Sequence, residues 1–322
     1  MNAVADVIEQ TPIDPVTRWY AGATVRNAAR IFVPKDIGRE NTFPKSRQPL
    51  SAHPLVAALG QEAVSYVLAQ STYRYMYEIG LLETRFVIDC ALKIINNEIG
   101  TGTAEADKRE AITIVIDEGY HAYVALDFII QMKQNSGIEP LAVPQTNGNL
   151  DAVRRGYELL PPRLHGTFQL LATCLAEHTL TKDLLSIGKE KEATVTFTQV
   201  MTDHVSDEGR HANYFARLTR EYWRGVAPAD QQRIGRFLPG YLKDYLAVDW
   251  QRGFDREVLA KLGLSAQQIE TVIGDTNPGF REAATQYVDV TLANLVKLLD
   301  RMGVIGHADT RAGFVDAGLL GA

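Results

Sequence analysis

Several classes of protein are excluded by what this sequence lacks. It holds only two cysteines, Cys90 and Cys174, both inside apolar helical stretches. That leaves no disulfide framework and no thiolate metal site, and buried, reduced thiols are expected. Basic charge is in deficit: 33 Lys and Arg face 39 Asp and Glu, for a net charge of −6. A general nucleic-acid binder would carry a basic stripe instead. No apolar run approaches the roughly 20 residues that span a bilayer. The opening MNAVADVIEQ has neither the basic start nor the apolar stretch of a signal peptide, so a cytoplasmic protein is expected. Low-complexity tracts and strand-like alternation are also missing, and an all-α protein is the expectation.

What is present is a large apolar fraction, 46% of 322 residues, ample for a sizeable core. Residues 1–50, with prolines at 12, 15, 34, 44 and 49, read as an arm laid over a body. Residues 51–302 read as a helical bundle with flanking helices, and 303–322, rich in Gly and Ala, as a flexible tail. Apolar residues three and four apart predict long helices over 54–97, 104–134, 166–187 and 192–224. Shorter ones are predicted near 150–160, 229–260, 265–273 and 279–301. A Pro-, Gly- and Asn-rich connection follows the second long helix.

The hexapeptide DEGYHA at 117–122 returns as DEGRHA at 207–212. Each copy sits in an apolar helical pattern, where three- and four-residue spacing puts Glu118 with His121 and Glu208 with His211 on one face. Glu83 and Glu177 lie in the apolar stripes of the first and third long helices. Buried unpaired carboxylates cost several kcal/mol each, and few Lys or Arg fall on these faces to offset them. A metal pair would. The midpoint of Glu83 and Glu118 falls at residues 100–101, and that of Glu177 and Glu208 at 192–193, both at predicted turns. Antiparallel hairpins therefore bring each pair level, and the Pro-rich link becomes a crossover. This is the plan of a ferritin-like bundle, with one Glu from each of two helices and Glu-x-x-His from the other two. A carboxylate- and imidazole-rich set suits iron or manganese rather than structural zinc. Asp117 and Asp207 are expected to hold the histidine N–H groups. His204, one turn before Glu208, is expected to be a further ligand.

With this pattern the chain resembles the AurF-like di-iron arylamine N-oxygenases. Their pattern is a glutamate, an E-x-x-H about 35 residues on, a further glutamate, then H-x-x-x-E-x-x-H. Here it reads Glu83, EGYH at 118–121, Glu177 and HVSDEGRH at 204–211. The resemblance implies two irons held by Glu83, Glu118, His121, Glu177, His204, Glu208 and His211. It also implies O2 as co-substrate, an external electron donor, a homodimer, and oxidation of an amine to hydroxylamine, nitroso or nitro product. A C–H hydroxylase or desaturase-like oxidase on the same scaffold and a non-enzymatic iron-binding protein are the alternatives. Tyr75, Asp183 and Arg281 are the candidate substrate contacts. His165 and His178 are not, since His178 points about 100° away from Glu177 on its helix.

Overall fold

The computed structural model describes residues 14–99, 102–248 and 251–321. The turn expected at 100–101 and residues 1–13 of the arm lie outside them. Several helices begin where a side chain or a special backbone conformation serves the first turn. Asp14 accepts the Thr17 amide and opens α1 (Pro15–Gly22), and α2 (Thr24–Asn27) follows after one extended residue. His53 caps α3 (Pro54–Ala57). Gly60, at φ 95°, leads into α4 (Gln61–Leu82). One π-helical turn, Glu83–Val87, joins α4 to α5 (Ile88–Ile95). Then come α6 (Glu105–Ser136), ended by Gly137 in the left-handed conformation, and α7 (Gly148–Leu159), capped by Asn147. The described chain finishes with α8 (His165–Ile187), α9 (Val195–Trp223), α10 (Pro228–Tyr245), α11 (Gln251–Lys261), α12 (Ala266–Arg301) and α13 (Ala308–Asp316). No strand occurs among the described residues, and the fold is all-α, a helical bundle with flanking helices.

The segment α4–α5 packs against α6, α8 packs against α9, and α6 meets α9. The side chains between these helices form two apolar cores. One contains Phe86, Cys90 and Ile94, Ala111 and Ile114, Leu170 and Cys174, and Tyr214 and Phe215. The other contains Met76 and Ile79, Phe128 and Met132, Leu184 and Ile187, and Phe197 and Met201. Each bundle helix therefore contributes to both cores, and in each the metal-type residues fall between the two contributions. The polar layer is sandwiched between apolar layers, which close it on both sides and hold its height on every helix.

The crossover after Gly137 is tied to α4 by side chains. Tyr73 Oη donates to the Ile138 carbonyl at 2.8 Å, Gln70 Nε2 donates to the Glu139 carbonyl at 2.7 Å, and the Leu141 amide donates back to Gln70 Oε1 at 2.9 Å. The arm is tied to α6 in the same way. The Val33 amide donates to Gln131 Oε1 at 3.1 Å, and Asn135 Nδ2 donates to the Val33 carbonyl at 2.7 Å. Backbone that cannot pair within a helix is thus satisfied by amide side chains and one tyrosine hydroxyl. Val33, Ile37, Phe43 and Leu50 bury themselves in the second core.

Three expectations change. The tail is not loose throughout: α13 docks on α10, with Phe314 fully buried. Gly235 permits the approach, because a Cβ there would collide with Thr310. The predicted helices over 265–273 and 279–301 are one, α12, which continues through Pro278. Proline frees the carbonyl four residues earlier, here that of Gly274, and Gly274 is exposed, so water can satisfy it. The helix predicted over 229–260 is divided into α10 and α11, with residues 249–250 outside the description.

Candidate metal centre

The π turn starts at Glu83 and places its carboxylate in the bundle interior together with Phe86 and Val87. Single π turns are frequent at functional sites. Glu118 and His121 arrive from the middle of α6, Glu177 from α8, and His204, Glu208 and His211 from three successive turns of α9. All seven are buried, none more than 4% exposed. Their donor atoms fall into two overlapping groups, each within 4.8 Å throughout. One consists of Glu83, Glu118, His121, His204 and Glu208. The other consists of Glu118, Glu177, Glu208 and His211. Glu118 and Glu208 belong to both, in the position of bridging carboxylates.

The protein leaves most of these atoms without partners of its own; His121 Nδ1 and Glu118 Oε2, 2.9 Å apart, are the exception. Both oxygens of Glu83, Glu177 and Glu208, Oε1 of Glu118, Nε2 of His204 and Nδ1 of His211 make no hydrogen bond. Close pairs do exist: His204 Nε2 is 2.9 Å from Glu208 Oε1, and His211 Nδ1 is 2.8 Å from Glu118 Oε1. They are not aligned as hydrogen bonds. Buried polar atoms are nearly always paired, so a whole layer of orphans that all face one another needs an outside partner. Two cations at the two donor groups would satisfy every one of them. Four carboxylates also match two divalent ions in charge, so the residues fit a di-metal centre.

Protons take the cations' place in the metal-free protein. Burial, then the charges of Glu118 and Glu208, push the Glu83 carboxyl well above its ordinary range. Burial with Glu208 and Glu118 does the same to Glu177. Burial and Glu208 act in that direction on Glu118 too, but His211 and His121 prevail and hold it at about 2. Burial opposes a charged Glu208 as well, yet His204 and His211 keep it well below the usual range. His211 is raised well above an ordinary histidine, because Glu118 and Asp117 outweigh burial. Cations must displace these protons, so their binding strengthens as pH rises.

The far nitrogens of the two motif histidines are held crosswise. His121 Nε2 meets Asp207 at 3.1 Å, and His211 Nε2 meets Asp117 at 3.1 Å. Each aspartate thus serves the histidine of the other motif. A ring fixed through Nε2–H presents the lone pair of Nδ1 to the cluster.

A cavity of about 290 Å³ reaches His121 and His204 from the arm side, between residues 24–31, α6 and α9. Of the candidate substrate contacts, Tyr75 and Asp183 come together: Tyr75 Oη donates to Asp183 at 2.6 Å, and Arg47 pairs with the other oxygen at 2.9 Å. Arg281 is exposed on α12, and neither a hydrogen bond nor an ion pair joins it to the cluster. His178 and His165 bond to the carbonyls of Cys174 and Leu160 and take no part. Sequence reasoning missed Tyr245 on α10. Burial, Tyr287 and then the nearby Glu177 and Glu83 raise its hydroxyl far above a free tyrosine. Its only signal was a tyrosine in an apolar helical pattern.

The family described as P-aminobenzoate N-oxygenase AurF matches residues 34–303. No curated protein matches the chain. No described helix is long and apolar enough to cross a membrane. The match takes in all four bundle helices and every residue of the cluster, and the chain belongs to the AurF p-aminobenzoate N-oxygenase family, a family of di-iron oxygenases built on a helical bundle.

Proposed function

We propose that the protein is an O2-dependent di-iron N-oxygenase that oxidises an amine, an arylamine by preference, to the hydroxylamine, nitroso or nitro level. The observation that carries this reading is the third imidazole, that of His204. It lies in one donor group only and makes that group richer in nitrogen than its neighbour. Family membership supports the reaction class. Glu83, Glu118, His121, His204 and Glu208 would hold one iron, and Glu118, Glu177, Glu208 and His211 the other. Bound there, the irons supply O2 activation by redox chemistry. The first turnover balances as amine, O2, two electrons and two protons giving hydroxylamine and water, with the electrons from an external donor. The residues' part is to keep four carboxylates level, to fix both motif imidazoles and to keep water out between two apolar cores.

The test is anaerobic reduction of the iron-loaded protein, exposure to O2 with a panel of arylamines, and mass spectrometry of the products. An added oxygen on nitrogen is expected. Oxygen on carbon alone, or O2 uptake that no amine alters, would exclude the reading.

A homodimer is part of this proposal, and α6 supports it. Ile112, Ile116, Tyr123, Leu126 and Ile130 are all at least 41% exposed on that helix. With Gly119 they repeat at alternating spacings of four and three, an apolar seam of coiled-coil type. Sedimentation is expected to give a dimer for the native chain and a monomer for Leu126→Glu/Ile130→Glu. A dimer that persists in the double variant removes this face as the interface.

A further inference from the structure

The arm and one arginine reach the aspartates behind the metal cluster. Trp19 Nε1 donates to Asp117 Oδ1 at 2.8 Å. The Thr24 amide donates to Asp207 at 3.2 Å, and the Thr24 hydroxyl bonds the same carboxylate. Arg210 occupies the variable position of the second hexapeptide, and its Nη2 bridges Asp117 at 2.9 Å and Asp207 at 2.6 Å. Asp117, Asp207, Trp19 and Thr24 are all buried. Two relays result, each crossing from one motif to the other. One runs Trp19, Asp117, His211, and the other runs Thr24, Asp207, His121, with Arg210 between them.

We propose that Trp19, Thr24 and Arg210 are positioning residues for the two metal sites, Trp19 acting on the ion held by His211 and Thr24 on the ion held by His121. The inference rests on the di-metal reading given above. A carboxylate fixes an imidazole's orientation only if it is itself fixed. A buried aspartate with one partner can rotate about its χ angles and take the histidine with it. Trp19 donates to the Asp117 oxygen that His211 does not use, while the Thr24 hydroxyl shares one Asp207 oxygen with His121, so each aspartate is held by an arm residue and a histidine together. Arg210 offsets the two negative charges that this arrangement buries. Because the relays cross, each arm residue addresses one donor group and leaves the other alone. Such outer partners commonly govern metal affinity by about 10- to 100-fold.

The experiment is an anaerobic titration of the metal-free full-length protein with Fe(II) alone, resolved into two binding steps by calorimetry, with Mössbauer spectra to tell the two irons apart. Trp19→Phe keeps the ring and loses the donor. It is expected to weaken the His211 iron about 10-fold and leave the other unchanged. Thr24→Val loses only the hydroxyl bond, so it should weaken the His121 iron several-fold, and Thr24→Ser should restore it. Arg210→Gln is expected to weaken both. Circular dichroism and thermal unfolding confirm that the compared variants are folded. Two irons bound by the native protein and bound equally well by folded Trp19→Phe and Thr24→Val would overturn the inference while the metal centre stands. Loss of both irons in proportion to a fall in thermal stability, with no selectivity, would also overturn it, since that is the result of a merely structural arm. Fewer than two irons in the native protein would overturn the di-metal reading and this inference with it.

Discussion

Glu118→Ala and Glu208→Ala are each expected to strip both metal ions from the chain and to abolish amine oxidation with them. Each carboxylate belongs to both donor groups, whereas Glu83 and Glu177 belong to one group each. Removing a shared donor weakens two coordination sets and withdraws the charge that lets two cations sit side by side. The loss of affinity should exceed the ~100-fold that an outer partner alone can cost. Glu83→Ala and Glu177→Ala supply the contrast, since each should weaken one ion more than the other. The fold should survive all four changes, at a cost on the order of 1–3 kcal/mol each. Apolar cores flank the layer on both sides. Elemental analysis of the folded variants, with product detection on the same samples, decides the matter. A Glu208→Ala protein that keeps two ions would remove Glu208 from the shared position.

The contrast between shared and exclusive donors follows from how the helices meet. Glu118 and Glu208 come from α6 and α9, which touch each other across the bundle, and each brings a histidine three residues later. Glu83 and Glu177 come from α4–α5 and α8, the partners of those helices. The motif glutamates thus sit at the seam between two hairpins, and the single glutamates sit at the ends of the layer.

Much of this arrangement could be read from periodicity. Three- and four-residue spacing placed Glu118 with His121 and His204 with Glu208 and His211 on single faces, and the structure gathers all of them. The hairpin midpoints anticipated the level pairing of Glu83 with Glu118 and of Glu177 with Glu208. What escaped depends on contacts that spacing does not encode. The π turn at Glu83 sits inside an uninterrupted apolar pattern, so nothing local announces it. Asp117 is four residues from His121 and looks like its natural partner, yet it bonds His211 on the facing helix, while His121 bonds Asp207. Trp19 and Thr24 lie 98 and 183 residues from the aspartates they hold, in a segment whose prolines suggested only an arm laid over the body. Proline misled in α12 as well, where exposure of Gly274 lets the helix run on.

His204→Ala is expected to separate metal binding from amine chemistry. The substitution leaves Glu83, Glu118, His121, Glu177, Glu208 and His211, the six donors of an ordinary di-metal bundle. Iron content should therefore fall much less than in the glutamate variants. What changes is one ion only, because His204 belongs only to the group with Glu83 and His121. That ion loses a neutral donor, and the vacated volume beside the His121 ring, 3.9 Å away between centroids, admits water. The cavity that reaches both rings supplies the route for that water. A position filled by water rather than imidazole alters the potential and the geometry of one iron while the other keeps its full set. Amine oxygenation is expected to drop by at least 10-fold, with most of the iron retained and one of two Mössbauer doublets displaced. If His204 only packed the core, alanine would lower thermal stability by about 1–3 kcal/mol and leave both doublets and the product yield per iron as they were. Unaltered doublets in a folded, iron-loaded variant would take away the reason for preferring nitrogen oxygenation over generic di-iron oxidation.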